Sequence, residues 1–407
     1  MDTATFTDRK TGDLVNIEGG AHAFLPYPVP ISNFQITPEI SVAVELAAQE
    51  LGRLDGHSHH FPDRAQLLVA PLLRKEAILS SRIEGTQTTF EELVLFEGAN
   101  IEHAERQRDN REVLNYVSAM LFAQKRIKEI PLAKQLICET HQLLMAGTDE
   151  SKTAPGQIRD RQVHIGQEGT SLEDARYVPP PPYHIAPLMQ NFQDYIAKPD
   201  LLPFLVRLAI LHYQFEAIHP FCDGNGRLGR LLLVLMMVKQ GVLSAPMLYL
   251  SAYFERRRNQ YNDLLLNISR DAQWEAWLLF FLRGVAMQAR DANQRIWQLQ
   301  SLRTEFKARL GNATMAVDKL VDQLFASPLM SNSIAKRVTG FSWQSARDNV
   351  KKLEDAGIIV KLEIDSKEHL YISPTIIEIV DAAKAIPDDE QLELSLERPP
   401  EITQASV

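Results

Sequence analysis

Apolar positions along this chain recur at helical spacing far more often than they alternate. The first such run opens at Thr37-Pro38, with Thr in the N-cap position and Pro in the first turn. A second covers residues 65–84, where Leu67, Leu68, Leu72, Leu73, Ile78 and Leu79 supply the apolar side and Gly85 stands at the expected C′ position. Further helices are predicted over 110–128, 132–145, 187–197, 203–217, 227–240 and 257–269, and 274–302 continues the pattern. Residues 1–35, with Pro26, Pro28 and Pro30, read as an irregular arm.

Two stretches depart from this. Gln162-Val-His-Ile alternates polar and apolar, Gly166, Gly169 and Ser171 turn the chain, and Arg176-Tyr-Val returns before a run of prolines at 179–182. That predicts a β-hairpin with a proline stop. Over 315–373 a short helix at 320–325 is followed by another at 333–338, Gly340, a longer helix at 342–356 and Gly357. Residues 358–362 and 369–372 then alternate across Asp365-Ser-Lys. This order describes a winged helix-turn-helix. The fold class expected is therefore mainly α, with one small hairpin and a C-terminal winged helix.

A chain of 407 residues, 45% hydrophobic and 23% charged, can bury two or three domains. Cys138 and Cys222 are too few for a disulfide framework, which predicts a reducing compartment. The N-terminus lacks the basic and apolar regions of a signal peptide, so a cytoplasmic location is expected. The longest apolar run, 231–238, is too short to span a bilayer, and no membrane partner is expected. A net charge of −9 argues against the whole chain being a nucleic-acid binder, although 331–352 carries five bases against Asp348. Six acids against Arg398 between 388 and 401 predict a disordered tail.

The chemistry concentrates between two apolar helices, in His219-Pro-Phe-Cys-Asp-Gly-Asn-Gly-Arg-Leu-Gly-Arg230. Gly224 and Gly226 let a ligand approach the backbone. A helix opening at 225–227 aims its free N–H groups at an anion. Arg227 and Arg230, three apart, lie on one side of that helix within reach of further phosphate oxygens. Asp223 offers Mg²⁺ a hard oxygen. His219 is the group there that takes a proton near neutral pH, although a lone histidine is more often a satisfied core residue. Gly224-x-Gly226-x-x-Gly229 also spells the dinucleotide fingerprint, but that needs a preceding strand, and 204–215 is helical.

These residues match the Fic-family signature HxFx[D/E]GNGRxxR at every specified position, and the chain resembles that family over roughly residues 25–290. The segment 72–86 is similar to the N-terminal part of the subgroup with a built-in inhibitory helix. Its pattern [S/T]xxxE[G/N] is met by Ser80, Glu84 and Gly85. A winged helix after the core also occurs in that subgroup. The resemblance implies a Fic-type helical core and a protein adenylyltransferase, with ATP as substrate and Mg²⁺ as cofactor. It makes His219 the base that deprotonates a Ser, Thr or Tyr hydroxyl of a target protein, and Asp223 the metal ligand. Gly224, Asn225 and Gly226 hold the α-phosphate, Arg227 and Arg230 the outer phosphates, and Phe221 anchors the loop. Tyr261 and Asn262 fall where the family contacts adenine, although many relatives have a second Tyr in the latter position. Glu84 is the inhibitory residue, denying Arg230 to the γ-phosphate, with Ser80 one turn earlier. The hairpin is the flap, whose Val163, His164, Ile165 and Gly166 pair with the target backbone by strand addition.

The implied divisions are an N-terminal helical region, 1–100, a catalytic core, 101–290, a helical linker, 291–314, the winged helix, 315–378, and the acidic tail, 379–407. Lys336, Arg337, Arg347, Lys351 and Lys352 make DNA or a protein an expected partner of the winged helix. Self-modification and a homodimer stay open, as do a DNA-binding regulator with a nucleotide-sensing core, phosphate transfer from ATP and removal of AMP. His57, His59 and His60 lie beside Gly56 without regularly spaced acid or Cys ligands and read as a solvated loop.

Overall fold

A computed structural model describes the chain apart from residues 8–9, 32–33, 61–64, 100–106, 167–168, 199–200, 312–313, 365, 367 and 383–407. The N-terminal arm is not irregular. Strand β1 (Gly12–Asn16) pairs antiparallel with β2 (His22–Pro26), from Gly12↔Pro26 to Asn16↔His22. Between them Gly19 and Gly20 both take positive φ, 87° and 81°, which glycine reaches without Cβ strain. The prolines fall at the end of β2 and beyond, so they end the hairpin rather than prevent it.

Helices α1 (Pro38–His60), α2 (Ala65–Ile83), α3 (Phe90–Ala99), α4 (Gln107–Arg126), α5 (Lys134–Leu144) and the single turn α6 (Glu150–Thr153) follow. Helix α1 runs through His57, His59 and His60, so that stretch is helical rather than a loop. Next come α7 (Pro182–Ala197), α8 (Phe204–Ile218), α9 (Asn225–Lys239), α10 (Ser251–Arg256), α11 (Arg258–Asp271) and α12 (Trp274–Arg309). Helices α8 and α9 are apolar on nearly every side and accordingly buried on nearly every side. Helix α12 packs along α1, and its Trp277 Nε1 donates to the Ala209 carbonyl of α8 at 3.0 Å. The short stretch between α8 and α9 is thereby held between two buried rods.

The expected hairpin at 162–178 is reduced to one antiparallel bridge. Ile165 N donates to Tyr177 O at 2.8 Å and Tyr177 N to Ile165 O at 3.1 Å. The prolines at 179–182 end the return strand at once, and the Val178 carbonyl accepts from Phe24 N of β2 (2.8 Å). Phe24, Tyr177, Val178 and Leu266 share a small apolar cluster, so the N-terminal hairpin props the flap.

The C-terminal part comprises α13 (Met315–Ala326), β3 (Leu329–Ser331), α14 (Asn332–Thr339), α15 (Trp343–Asp355), β4 (Val360–Lys361), β5 (Leu370–Ile372) and α16 (Pro374–Asp381). Gly340, at φ 73°, turns α14 into α15, and the strands pair antiparallel in the order β3-β5-β4. Strand β3 is an addition to the elements the pattern predicts. This part leans on α2, since Arg74 donates to the Ala326 carbonyl (3.0 Å) and Lys75 pairs with Asp381. The tail beyond residue 382 lies outside the described residues.

Glu76 links α2 to the start of α10, accepting from Ser251 N (3.1 Å), Ser251 Oγ and Tyr116 OH (3.3 Å) while 1% exposed. Burial pushes its carboxyl up to about 7, against the Ser251 and Tyr116 hydrogen bonds and Arg230, which pull it down. The folded value lies above the unfolded one, so stability falls as pH rises from the ordinary carboxylate range through about 7. Glu76→Gln should therefore stabilise the fold at pH 8 by on the order of 1–3 kcal/mol, and less at pH 5. Denaturant midpoints at the two pH values check this, and equal effects at both would count against it.

Candidate functional site

Helix α8 ends on His219 in the left-handed conformation, φ 49°, with its N–H bonded to the Phe215 carbonyl at 3.0 Å. The loop that follows is braced from inside by Asn225. Its Nδ2 donates to Phe221 O and its Oδ1 accepts from Phe221 N, both at 2.9 Å. That side chain is committed to the loop, so its reach to a phosphate is through its backbone. Gly224, at φ 76°, caps α9, and a Cβ there would sit 2.6 Å from Met145 Sδ. Phe221 is fully buried and stacks on His141 of α5 at 3.8 Å and 12°. His141 Nδ1 accepts from Gly156 N (2.8 Å), which leaves Nε2 to donate to the Asp223 carbonyl (2.9 Å). Burial pushes this imidazole down to about 4, which fixes it as a neutral strut.

The two arginines do not share a task. Arg227, its side chain 4% exposed, turns away to Glu112 of α4 (2.9 Å), with Met145 Sδ at 3.5 Å and Asp223 Oδ1 at 3.8 Å. Arg230 faces the cleft and lies against α2. Its Nε donates to Ser80 Oγ (2.9 Å), and its Nη2 to the Ser80 carbonyl (2.8 Å) and to Glu84 Oε1 (2.6 Å). Burial drives the Glu84 carboxyl up, but Arg230, then Arg227 and His219, outweigh it and hold the group below the usual carboxylate range. Glu84 also overhangs the start of α9. A Cβ on Gly226 would collide with Glu84 Oε1 and lie 3.0 Å from Arg230 Nη1, so glycine admits this approach.

Glu84, Ile165, Gly166, His219, Gly226, Arg230, Tyr261 and Asn262 line one cleft of about 690 Å³. Ser80 lies beneath it, fully buried. Val163, His164, Asp223, Gly224, Asn225 and Arg227 stand outside its lining. Asp223 has a 55% exposed side chain, and its contacts with Gly224 N (2.6 Å) and Arg227 both use Oδ1. Tyr261 is buried, bonded through its hydroxyl to His212 Nε2 at 2.7 Å and stacked on Phe254 at 4.5 Å. Ile165 spends both backbone groups on Tyr177, so strand alternation leaves His164 and Gly166 to face a partner strand.

Burial, and next Arg159, push His219 down to about 4, against the Glu216 carbonyl, Glu84 and Asp223. Its Nδ1 is buried, so the ring meets the cleft through Nε2. A neutral imidazole, an arginine and a helix N-terminus on one cleft can accept a proton and hold an anion.

Sequence reasoning missed Glu112, His141, Arg159 and Glu216. Burial pushes the Glu216 carboxyl up to about 7, and its Oε1 sits unpaired against Gly229. No spacing rule links these residues to the motif, because each comes from a distant element or faces inward from α8.

The Fic/DOC family model matches residues 131–237, and the Fic/DOC family N-terminal model matches 42–125. The chain is 28% identical over 182 residues to a probable protein adenylyltransferase of Aquifex aeolicus, covering 42% of this chain and 50% of that one. It is 30% identical over 141 residues to protein adenylyltransferase fic-1 of Caenorhabditis elegans, covering 33% and 25%. It thus spans half or less of the length of these curated relatives. Among solved structures it shares the fold of a Fic family protein from Desulfovibrio desulfuricans G20, at a TM-score of 0.53 and 22% identity over 84% of this chain and 97% of that one.

Proposed function

The chain belongs to the Fic/DOC family, and on that premise we propose that its cleft moves AMP from ATP to a Ser, Thr or Tyr hydroxyl of a target protein, under restraint by Glu84. The observation that carries this reading is the meeting of neutral His219 with Arg230 and the N-terminus of α9 in one cleft. Relatives named as protein adenylyltransferases support the same chemistry.

In this reaction His219 Nε2 takes the hydroxyl proton as the oxygen bonds to the α-phosphorus. The bond from that phosphorus to the bridging oxygen of the β-phosphate breaks, and pyrophosphate leaves. Backbone N–H groups at the start of α9 face the α-phosphate, and Arg230 steadies the outer phosphates once Glu84 releases it. Arg227 acts from behind, as a charge anchored by Glu112. Tyr261 and Asn262 border the adenine end, and the backbone of His164 and Gly166 receives the target chain.

Among the described residues no three His, Cys, Asp or Glu side chains gather into a metal-holding cluster. Asp223 alone fits Mg²⁺, which ordinarily binds through one or two carboxylates plus phosphates and water. Such an ion would supply positive charge against the triphosphate.

Outside the cleft, exposed Phe341 and Trp343 stand beside Lys336 and Arg337 on the α14–α15 turn and offer a docking face for DNA or a second protein. Among the described residues no helix is long and apolar enough to cross a membrane.

Incubation with ATP and Mg²⁺ followed by intact-mass spectrometry of the chain and of captured lysate proteins tests the reaction. An added adenylyl group is expected. An added phosphate, or loss of a pre-attached AMP with no gain elsewhere, would replace this reading with phosphotransfer or AMP removal. The acid limb of kcat/KM should lie well below the ordinary histidine range, since His219 is neutral down to about 4. A limb in that ordinary range would assign the base to a different or less buried group.

A further inference from the structure

Arg159 precedes the flap and is 2% exposed, yet every hydrogen bond of its guanidinium ends on a backbone carbonyl. Its Nε donates to His219 O at 2.8 Å, and Nη2 to Pro180 O at 2.6 Å and Ile218 O at 3.4 Å. Nη1 reaches Arg161 O at 3.1 Å, and the Arg159 amide donates to Pro220 O at 3.0 Å. One buried fork thus ties both ends of the flap to the loop that carries His219. That loop needs tying, because His219 is one of three non-glycine described residues with positive φ, a conformation that crowds the Cβ of a side-chain-bearing residue against its own backbone.

We propose that Arg159 is a positioning residue for His219, fixing the left-handed backbone that aims the imidazole and locking the base of the flap to the same loop. The inference rests on the reading of His219 as the base. A planar fork suits this task, since its five donors point in fixed directions from three nitrogens to carbonyls on different sides, whereas a lysine offers three donors from a single point.

Arg159 also acts on the ring by its charge. After burial it is the largest influence disfavouring imidazolium, and its own guanidinium is pushed down to about 10 by burial. Opposing it are Glu84 just past the end of α2 and Asp223 of the loop, with Glu216 from α8 beside them. Arg230 from α9, Arg258 from α11 and the flap residues Asp174 and Arg176 border the same cleft, with Arg176 paired to Asp263 of α11. None of those side chains bonds to the His219 backbone, so Arg159 alone among them combines aim with charge.

The test uses the full chain carrying Glu84→Gly, with Arg159→Lys and Arg159→Gln added singly. Arg159→Gln should lower kcat about a hundredfold with little change in KM for ATP. It should also raise the NMR-titrated pKa of His219, and the acid limb of kcat/KM, by about one unit. Arg159→Lys keeps the charge and loses the fork, so it should lower kcat about tenfold while the His219 titration stays put. A kcat within twofold of the parent in either variant overturns the proposal. So does a fall in activity with an unmoved His219 titration in Arg159→Gln, which marks a merely structural role. Should Arg159→Gln fail to fold, Arg159→Lys decides alone, by its kcat. A parent that transfers no AMP instead condemns the reading of the cleft, and the NMR titration then judges the electrostatic part without it.

Discussion

Replacing Glu84 by glycine should raise AMP transfer, by roughly ten- to a hundredfold. The carboxylate holds Arg230 Nη2 at 2.6 Å, and Arg230 is the cleft-facing arginine of the motif. With Glu84 present, an incoming triphosphate loses that donor and meets a negative charge at the start of α9. A charge-assisted contact is worth about 1.5–3 kcal/mol. The Glu84 side chain is 40% exposed, so solvent screening holds the gain to the lower part of what a buried pair would give. Glycine extends no new group into the space, and Ser80 still holds Arg230 through two contacts. Initial rates of labelled-AMP incorporation at saturating ATP and Mg²⁺ measure the effect. An ordinary surface carboxylate predicts no change and a catalytic one a fall, so either result removes Glu84 as the restraint. Adding Arg230→Ala to the same chain should cancel the gain, because the contested group is then gone.

The opposite extreme is expected for His219→Ala, which should lower transfer by about 10²–10⁴-fold, the usual contribution of a positioned base. Affinity for ATP should barely move. The groups assigned to the phosphates are Arg230 and the α9 backbone, and Asn225 holds the loop closed without the imidazole. Alanine must still adopt the left-handed φ of 49°, so thermal melting belongs beside the assay to show the fold intact. Retained ATP binding with activity within tenfold of wild type would move the proton acceptor elsewhere. Half-buried Glu216, pushed up to about 7 and lining the same cleft, would be the next residue to test.

Much of this site was legible because its chemistry is contiguous. His219, Gly226 and Arg230 fall within one turn-and-helix whose apolar flanks announce their own burial. The partner of Arg230 was reached only through family resemblance, since nothing in the periodicity of α2 distinguishes Glu84 from a solvated helix-end acid. Arg227 was expected beside Arg230, because residues three apart share a helix face. The structure instead turns it to Glu112, a contact made across a helix interface that spacing along one helix does not encode. The flap looked like a full hairpin because alternation registers side chains, whereas ladder length depends on backbone donors that the prolines remove. In the arm, three prolines outweighed the Gly-Gly turn that forms the hairpin. Arg159 left no signal at all, for its partners are carbonyls, which every residue has.

That hairpin has a consequence for how the molecule comes into being. Phe24 of β2 gives its amide to the carbonyl of Val178, so a strand made early is completed by a segment synthesised much later. As the chain emerges from the ribosome, β1 and β2 can pair locally while their docking edge waits for helices α1 to α6 to appear. Closing so long a loop is slow compared with forming the helices between. The flap is therefore seated only after those intervening helices have been made, and a nascent chain arrested before Val178 has neither a supported flap nor the motif that follows it.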